Sequence, residues 1–228
     1  MPNIKILQKT EHRIGFMEKI IGIHLNIPKS ISKVILDIIK LTGIKYPRYY
    51  KFVPHLTLYR CRFPANRYSR LIRRLKALKL RSISLKINKV DIQRTDKGTA
   101  FLSLIFAKAK PVKTLHRKVL QPANELRDNL IRLKDQHRLQ QGLFSKKEQR
   151  YIARYGNQRV LSLYIPHLTL GEVPLSATQS TVQKFRSYLR LLQKNPLTIT
   201  TLMVGLYDYD NRKEKYTRVI REEEIALS

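Results

Sequence analysis

The chain has 228 residues and carries 46 lysines and arginines against 16 aspartates and glutamates, a formal charge of +30. Hydrophobic residues make up 43%, enough for one large domain that buries about 70% of its unfolded surface, so the charge has displaced no core and wholesale disorder is excluded. A single cysteine, Cys61, rules out an internal disulfide and a thiolate-rich metal site, and the positive excess points to a polyanion, nucleic acid before membrane.

Ile21, Ile23, Leu25 and Ile27 alternate with Gly22, His24 and Asn26, the period of a half-buried strand that Pro28 stops. Ser30 is placed to N-cap a helix through about Leu41, with Gly43 past its end. Phe52 to Arg60 reads as a second strand. Pro64 to Leu80 follows as a helix whose apolar side, Leu71, Ile72, Leu75 and Leu78, backs a strongly basic one. Ile83 to Ile92 alternates as a third strand, and Gly98 opens a fourth at Ala100 to Phe106. A long helical stretch runs from about Val112 to Gln140, with Pro122 set to bend or interrupt it. Glu148 to Gly156 reads as a short helix, Val160 to Gly171 as a strand, and Ser176 to Leu192 as a helix. Leu197 to Tyr209 and Tyr216 to Ile225 are strands joined by a polar turn at Asp210 and Asn211. The order is β-α-β-α-β twice, with one strand added.

No stretch approaches the roughly 18 apolar residues of a membrane span, and the N-terminus, with Lys5, Lys9, Glu11, His12 and Arg13, lacks an apolar signal core. The expectation is a cytoplasmic protein with no membrane partner.

The two halves share a motif. Pro54-His55-Leu56-Thr57-Leu58 recurs as Pro166-His167-Leu168-Thr169-Leu170, each copy in a predicted strand before a helix and each preceded by an aromatic and a β-branched residue, Phe52-Val53 and Tyr164-Ile165. Residues two apart on a strand share a face, so His55 goes with Thr57 and His167 with Thr169, while the leucines take the other face. Related by a pseudo-twofold axis, both pairs converge on one groove. Two imidazoles across a small space suit acid-base chemistry on a phosphodiester: one, neutral, takes a proton from the attacking oxygen, and the other, protonated, gives one to the leaving oxygen. The threonine hydroxyls can donate to the phosphoryl oxygens. That chemistry needs no metal and no cofactor, and no metal motif is present.

The motifs His55-Leu56-Thr57-Leu58 and His167-Leu168-Thr169-Leu170 resemble the paired H-x-T-x signatures of the 2H phosphoesterase superfamily, nearest its 2′-5′ RNA ligase-like branch, the RNA 2′,3′-cyclic phosphodiesterases. The resemblance covers most of Ile20 to Leu227. It implies an α+β fold with two pseudo-twofold related lobes of antiparallel sheet around a central groove, and metal-independent handling of 2′,3′-cyclic phosphate or 2′-5′ linked ends. It implies His55 and His167 as the catalytic pair, the first as acid and the second as base, and Thr57 and Thr169 as phosphate contacts. Two departures stand out: an excess of chain at about 110–158, and Gly171-Glu172 after the second motif, where the branch often has a basic residue, while Arg60 follows the first.

One bilobal domain over 1–228 is therefore expected, with repeats at about 20–92 and 98–228 and a basic helical insertion at about 110–158. His24 and Asn26 lie on the polar side of the first strand, where they line the groove or an edge. Tyr207 and Tyr209 alternate on a late strand, where they stack a base or pack as amphipathic side chains. Arg67, Arg70, Arg73, Arg74, Lys76, Lys79 and Arg81 make a basic run with few compensating acids, suited to phosphate tracking, and Arg67, Arg70 and Arg74 join Arg60 as candidate substrate contacts. Lys146, Lys147, Arg150, Arg154 and Arg159 form a second patch. His12, His116 and His137 read as solvated surface residues, and Cys61 as a small core residue. The leading expectation is a monomeric enzyme that hydrolyses 2′,3′-cyclic phosphate on single-stranded or tRNA-like RNA ends to a 2′-phosphomonoester, with 2′-5′ joining as a further capacity. The alternatives are an enzyme for small cyclic nucleotides or 2′-5′ oligoadenylates, and a basic RNA-binding module whose catalysis is secondary or lost. A charge of +30 is far more than one phosphate requires, which favours a long nucleic acid.

Overall fold

The double β-α-β-α-β order is realised in a computed structural model that describes residues 17–45, 54–95, 98–107, 109–194, 196–212 and 215–228. The first run is β1 (Met17–Asn26), α1 (Lys29–Thr42), β2 (His55–Arg62), α2 (Tyr68–Ala77) and β3 (Ile83–Arg94). The second is β4 (Thr99–Ala107), α3 (Lys110–Leu126), the inserted helices α4 (Leu133–Gln140) and α5 (Lys146–Tyr155), β5 (His167–Pro174), α6 (Thr178–Gln193) and β6 (Leu197–Ile199). β7 (Thr201–Asp210) and β8 (Lys215–Ala226) complete the chain. Phe52, Val53 and His12 lie outside the described residues.

Several boundaries differ from expectation for local reasons. Ser30 caps nothing: α1 begins after Pro28, and the Ser32 hydroxyl donates to the Ile27 carbonyl at 2.9 Å. Gly43 does end α1, in the left-handed conformation at φ 71°. Pro122 is accommodated inside α3, and the helical stretch breaks instead at Asp128 and Asn129, with φ of 61° and 54°. Arg127, fully buried, seals that break by donating to Asn124 Oδ1 and to the Leu130 and Ala153 carbonyls. A 3-10 turn at Leu161–Leu163 replaces the start of the strand expected from Val160, which begins at His167. Thr200 splits the strand expected at Leu197–Tyr209: β6 pairs with β3, and β7 with β1.

The strands form one antiparallel sheet in the order β6-β3-β4-β5-β2-β1-β7-β8. Its centre is thin, because β2 and β5 meet only at Leu56 and Leu168. Four strands lie on each side of that seam, giving the two lobes. The repeats at about 20–92 and 98–228 do not coincide with them. β3 crosses to pair with β4, and β7 and β8 cross to join β1, so each repeat gives its last strands to the other lobe. α1, α2, α3 and α6 pack on one face of the sheet, in a core that joins Ile21, Leu56 and Leu168 to Leu71 of α2 and Phe185 of α6, while α4 begins against Glu18 on the other face, the Leu133 amide donating to its carboxylate at 3.2 Å. The other face carries the residues alternate to these.

Candidate active site

The seam brings the two motifs together. Leu56 and Leu168 are fully buried beneath it, so alternation turns His55, Thr57, His167 and Thr169 to the opposite face. Counting outward from the Leu56–Leu168 bridge in antiparallel register, Thr169 stands opposite His55 and Thr57 opposite His167. All four predicted side chains therefore share one small area, related by a pseudo-twofold axis through the bridge.

Both strands then bulge at the same place. Thr57 and Tyr59 face His24 and Ile23, leaving Leu58 extra. Likewise Thr169 and Gly171 face Ser103 and Leu102, leaving Leu170 extra. A bulge inverts the alternation beyond it. Arg60 and its twofold mate Glu172, which strict alternation would put on the helical face, are thereby returned to the groove.

His167 has a defined tautomer. Its Nδ1 donates to the Ile165 carbonyl at 2.8 Å, leaving Nε2 as an acceptor. Burial, first, holds its pKa below the usual histidine range; the Ile165 bond opposes this, and the Arg159 and Arg60 guanidiniums add to it. A neutral imidazole with a bare nitrogen has the form of a base. His55 sits against His24, with ring centroids 4.6 Å apart. Burial, and next the His55 imidazole, hold His24 well below the usual range, so His24 stands neutral beside His55. His24 and Asn26 face Thr57 and His55 across the strand pair and belong to the groove.

The two motifs are braced from below by a residue expected at the surface. His116 is 1% exposed, not solvated. Its Nδ1 donates to the Leu58 carbonyl at 2.7 Å, its Nε2 accepts from the Leu161 amide at 3.0 Å, and its ring stacks on Tyr164 at 4.0 Å. Tyr164 Oη in turn donates to the Thr57 carbonyl at 2.9 Å. Four residues after Val112 and four before Leu120, His116 lies on the buried stripe of α3, a helical spacing that signals burial against its polar residue type. His137 is exposed as expected. Cys61 is buried, and burial pushes its thiol up to about 12, far from a nucleophilic state.

The remaining candidates divide. Arg60 donates to Tyr216 Oη at 2.8 Å. Tyr207 lies over Gly22 and Gly205, where an added Cβ would strike its ring, and donates to Glu222 at 3.1 Å. Tyr209 is 8% exposed, packed edge-on to Tyr216 at 5.1 Å, and presents little surface to a base. Arg67, Arg70 and Arg74 do not reach the groove. The apolar side of α2 (Tyr68, Leu71, Leu75) packs on the helical face of the sheet, so its basic side points outward. There Arg67 pairs with Asp128 at 3.4 Å and Arg74 with Glu125. Of the second patch, Arg159 approaches the groove. Asn157 donates to the Arg60 carbonyl at 2.8 Å and accepts from the Arg159 amide at 2.8 Å, and the Arg159 guanidinium reaches Gln93 of the opposite lobe at 3.4 Å. Ser103 and Phe101 were not singled out by sequence, although Ser103 occupies, across from Thr169, the place that His24 occupies across from Thr57.

A model of the 2′-5′ RNA ligase superfamily matches residues 28–212, and the chain belongs to that family within the 2H phosphoesterases. Among solved structures it is similar to apo E. coli LigT, at 12% identity and TM-score 0.52 over 93% of this chain and 98% of LigT. It is also similar to E. coli LigT complexed with 3′-AMP (12%, 0.49, 93% and 98%) and to Kluyveromyces marxianus Usb1 (11%, 0.49, 92% and 97%). Comparison with curated protein sequences gives no match. The fold is that of a 2H phosphoesterase, and the protein is an enzyme of that class. No helix among the described residues is long and apolar enough to cross a membrane.

Proposed function

We propose that this enzyme acts on RNA ends, opening a 2′,3′-cyclic phosphate to a 2′-phosphomonoester with His55 as acid and His167 as base. The observation that carries the proposal is the meeting of both His-x-Thr strands at the single Leu56–Leu168 bridge. Water enters on the His167 side and attacks phosphorus; Nε2 takes its proton as the P–O bond forms. The bond to O3′ breaks, and the proton on His55 passes to that oxygen. Thr57 and Thr169 donate to the non-bridging oxygens, where charge develops. The two imidazoles end with protonation states exchanged, and solvent restores them. A 5′-hydroxyl in place of water yields a 2′-5′ linkage by the same step. Imidazoles supply both proton transfers, so turnover is proposed to be independent of metal.

The test is an RNA oligomer ending in 2′,3′-cyclic phosphate, incubated with excess chelator, its product isomer identified by phosphorus NMR. A 2′-phosphate is expected, formed faster than from a cyclic mononucleotide. A 3′-phosphate, no turnover, or loss of turnover with chelator contradicts the proposal.

A further inference from the structure

The groove has unlike ends. At one, Arg60 and Arg159 stand near His167. At the other, the twofold mate of Arg60 is Glu172, a carboxylate with no ion pair among the described residues. Several other carboxylates are ion-paired: Asp208 with Lys19 and Arg218, Glu125 with Arg74, Glu223 with Lys76, Asp135 with Arg132. An unpaired carboxylate repels phosphate, so this end of the groove does not hold the RNA backbone.

Glu172 is nonetheless held in place. Its backbone exchanges two hydrogen bonds with Lys45, at 2.8 and 3.0 Å. The Thr99 hydroxyl donates to Oε1, and Thr95 lies 2.7 Å behind that hydroxyl. Directly opposite on β4, on the same face, is Phe101. Its ring is only partly covered and lies outside the hydrophobic core. The pair stands two β4 residues beyond Ser103 and Thr169, about 7 Å along the strand, the reach of one ribose.

The direction of the reaction places a nucleoside there. Thr169 stands opposite His55, so the acid lies on the Glu172 side of the seam and the base on the Arg60 side. In-line attack sets the leaving O3′ opposite the incoming water. O3′ belongs to the ribose that carries the cyclic phosphate, so that ribose points towards Phe101 and Glu172.

We propose that Phe101 and Glu172 form a nucleobase subsite for the terminal nucleotide, Phe101 stacking the base and Glu172 reading its edge with a preference for guanine. Guanine presents N1–H and N2–H side by side, two donors for an acceptor-only carboxylate. Adenine and cytosine place a ring acceptor beside their amino group, and uracil flanks its N3–H with carbonyls; a carboxylate repels each of these. Stacking on Phe101 serves all four bases alike.

This inference rests on the proposed function, and its test separates the two. Turnover is measured on the four nucleoside 2′,3′-cyclic monophosphates, and binding of 2′-GMP and 2′-AMP by calorimetry. Guanosine should be favoured by about tenfold in kcat/KM and in affinity. Glu172→Gln should remove that preference, lowering guanosine and raising the other three bases towards a common value. Phe101→Ala should raise KM for all four by about tenfold. Thermal unfolding checks that both variants fold. Equal kcat/KM for the four bases, or a guanine preference that survives Glu172→Gln, overturns the subsite and leaves the phosphodiesterase reading standing. Absent turnover with tighter 2′-GMP binding that Glu172→Gln abolishes supports the subsite and overturns the reaction. Absent turnover with no discrimination in binding overturns both.

Discussion

β2 and β5 are the same strand twice as far as Leu58 and Leu170, and different strands beyond them. Both carry His-Leu-Thr-Leu, both bury the leucines, and both bulge after the threonine. Then they part. Tyr59 donates its hydroxyl to the Tyr155 carbonyl and so holds the insertion against β2. Its mate Gly171 has φ 147°, and a Cβ there would collide with Ile44 and Lys45, where the chain leaving α1 crosses β5. Arg60 and Glu172 oppose each other in charge. Symmetry is kept where two imidazoles must meet, and given up one residue later, where the substrate is bound in one direction.

The comparison is broken most severely at the histidines. His55→Ala and His167→Ala should each lower kcat by at least about 10² without loss of the fold, and equally on the ordinary substrate. Steady-state rates with thermal unfolding check this; full activity in either variant removes that imidazole from the reaction. His116 tests the brace between the strands. Unfolded, its imidazole titrates near 6.5; folded, burial lowers it to about 4, against the Leu58 bond. Between those values only the unfolded chain takes the proton. Stability from this group is thus complete above about pH 6.5 and lost as pH falls towards 4, by on the order of 3 kcal/mol. Urea midpoints across that interval should show the loss, and a flatter profile in His116→Gln. Thr57→Val and Thr169→Val should cost comparable amounts, about 10- to 100-fold each in kcat, through lost hydrogen bonds to charged oxygens. A cost confined to one threonine would mean that the twofold relation ends at the imidazoles. Arg159→Ala should move the acid limb of kcat/KM upward, because removing a nearby cation raises the pKa of His167, and should raise KM by about tenfold. An unmoved acid limb would separate Arg159 from His167.

Much of this site was legible in the sequence because short-range rules govern it. Alternation around Leu56 and Leu168 put each histidine with its threonine, and the repeated motif implied that the pairs converge. The β-α order followed from periodicity. What alternation cannot carry is its own interruption: the bulges at Leu58 and Leu170 decide that Arg60 and Glu172 face the groove. Nor can local pattern show exchange between lobes. β3 and β7 leave their own repeats because Leu85 and Ile87, and Leu202 and Val204, find the other lobe's core. The basic run from Arg67 was read as a nucleic-acid contact surface from charge alone, and α2 sets it away from the groove because its apolar side faces the sheet. Arg159 was named in one patch with Lys146, Lys147, Arg150 and Arg154, and only Asn157, bridging to Arg60, sets it apart from them.

The assignment of unlike roles to two like imidazoles is tested most directly by the leaving group. In a cyclic substrate with sulfur in place of O3′, the departing thiolate needs no proton. On it, His55→Ala should recover to within about tenfold of the unmodified enzyme, while His167→Ala stays at least about 10² lower. Recovery of His167→Ala instead, or of neither variant, contradicts the account.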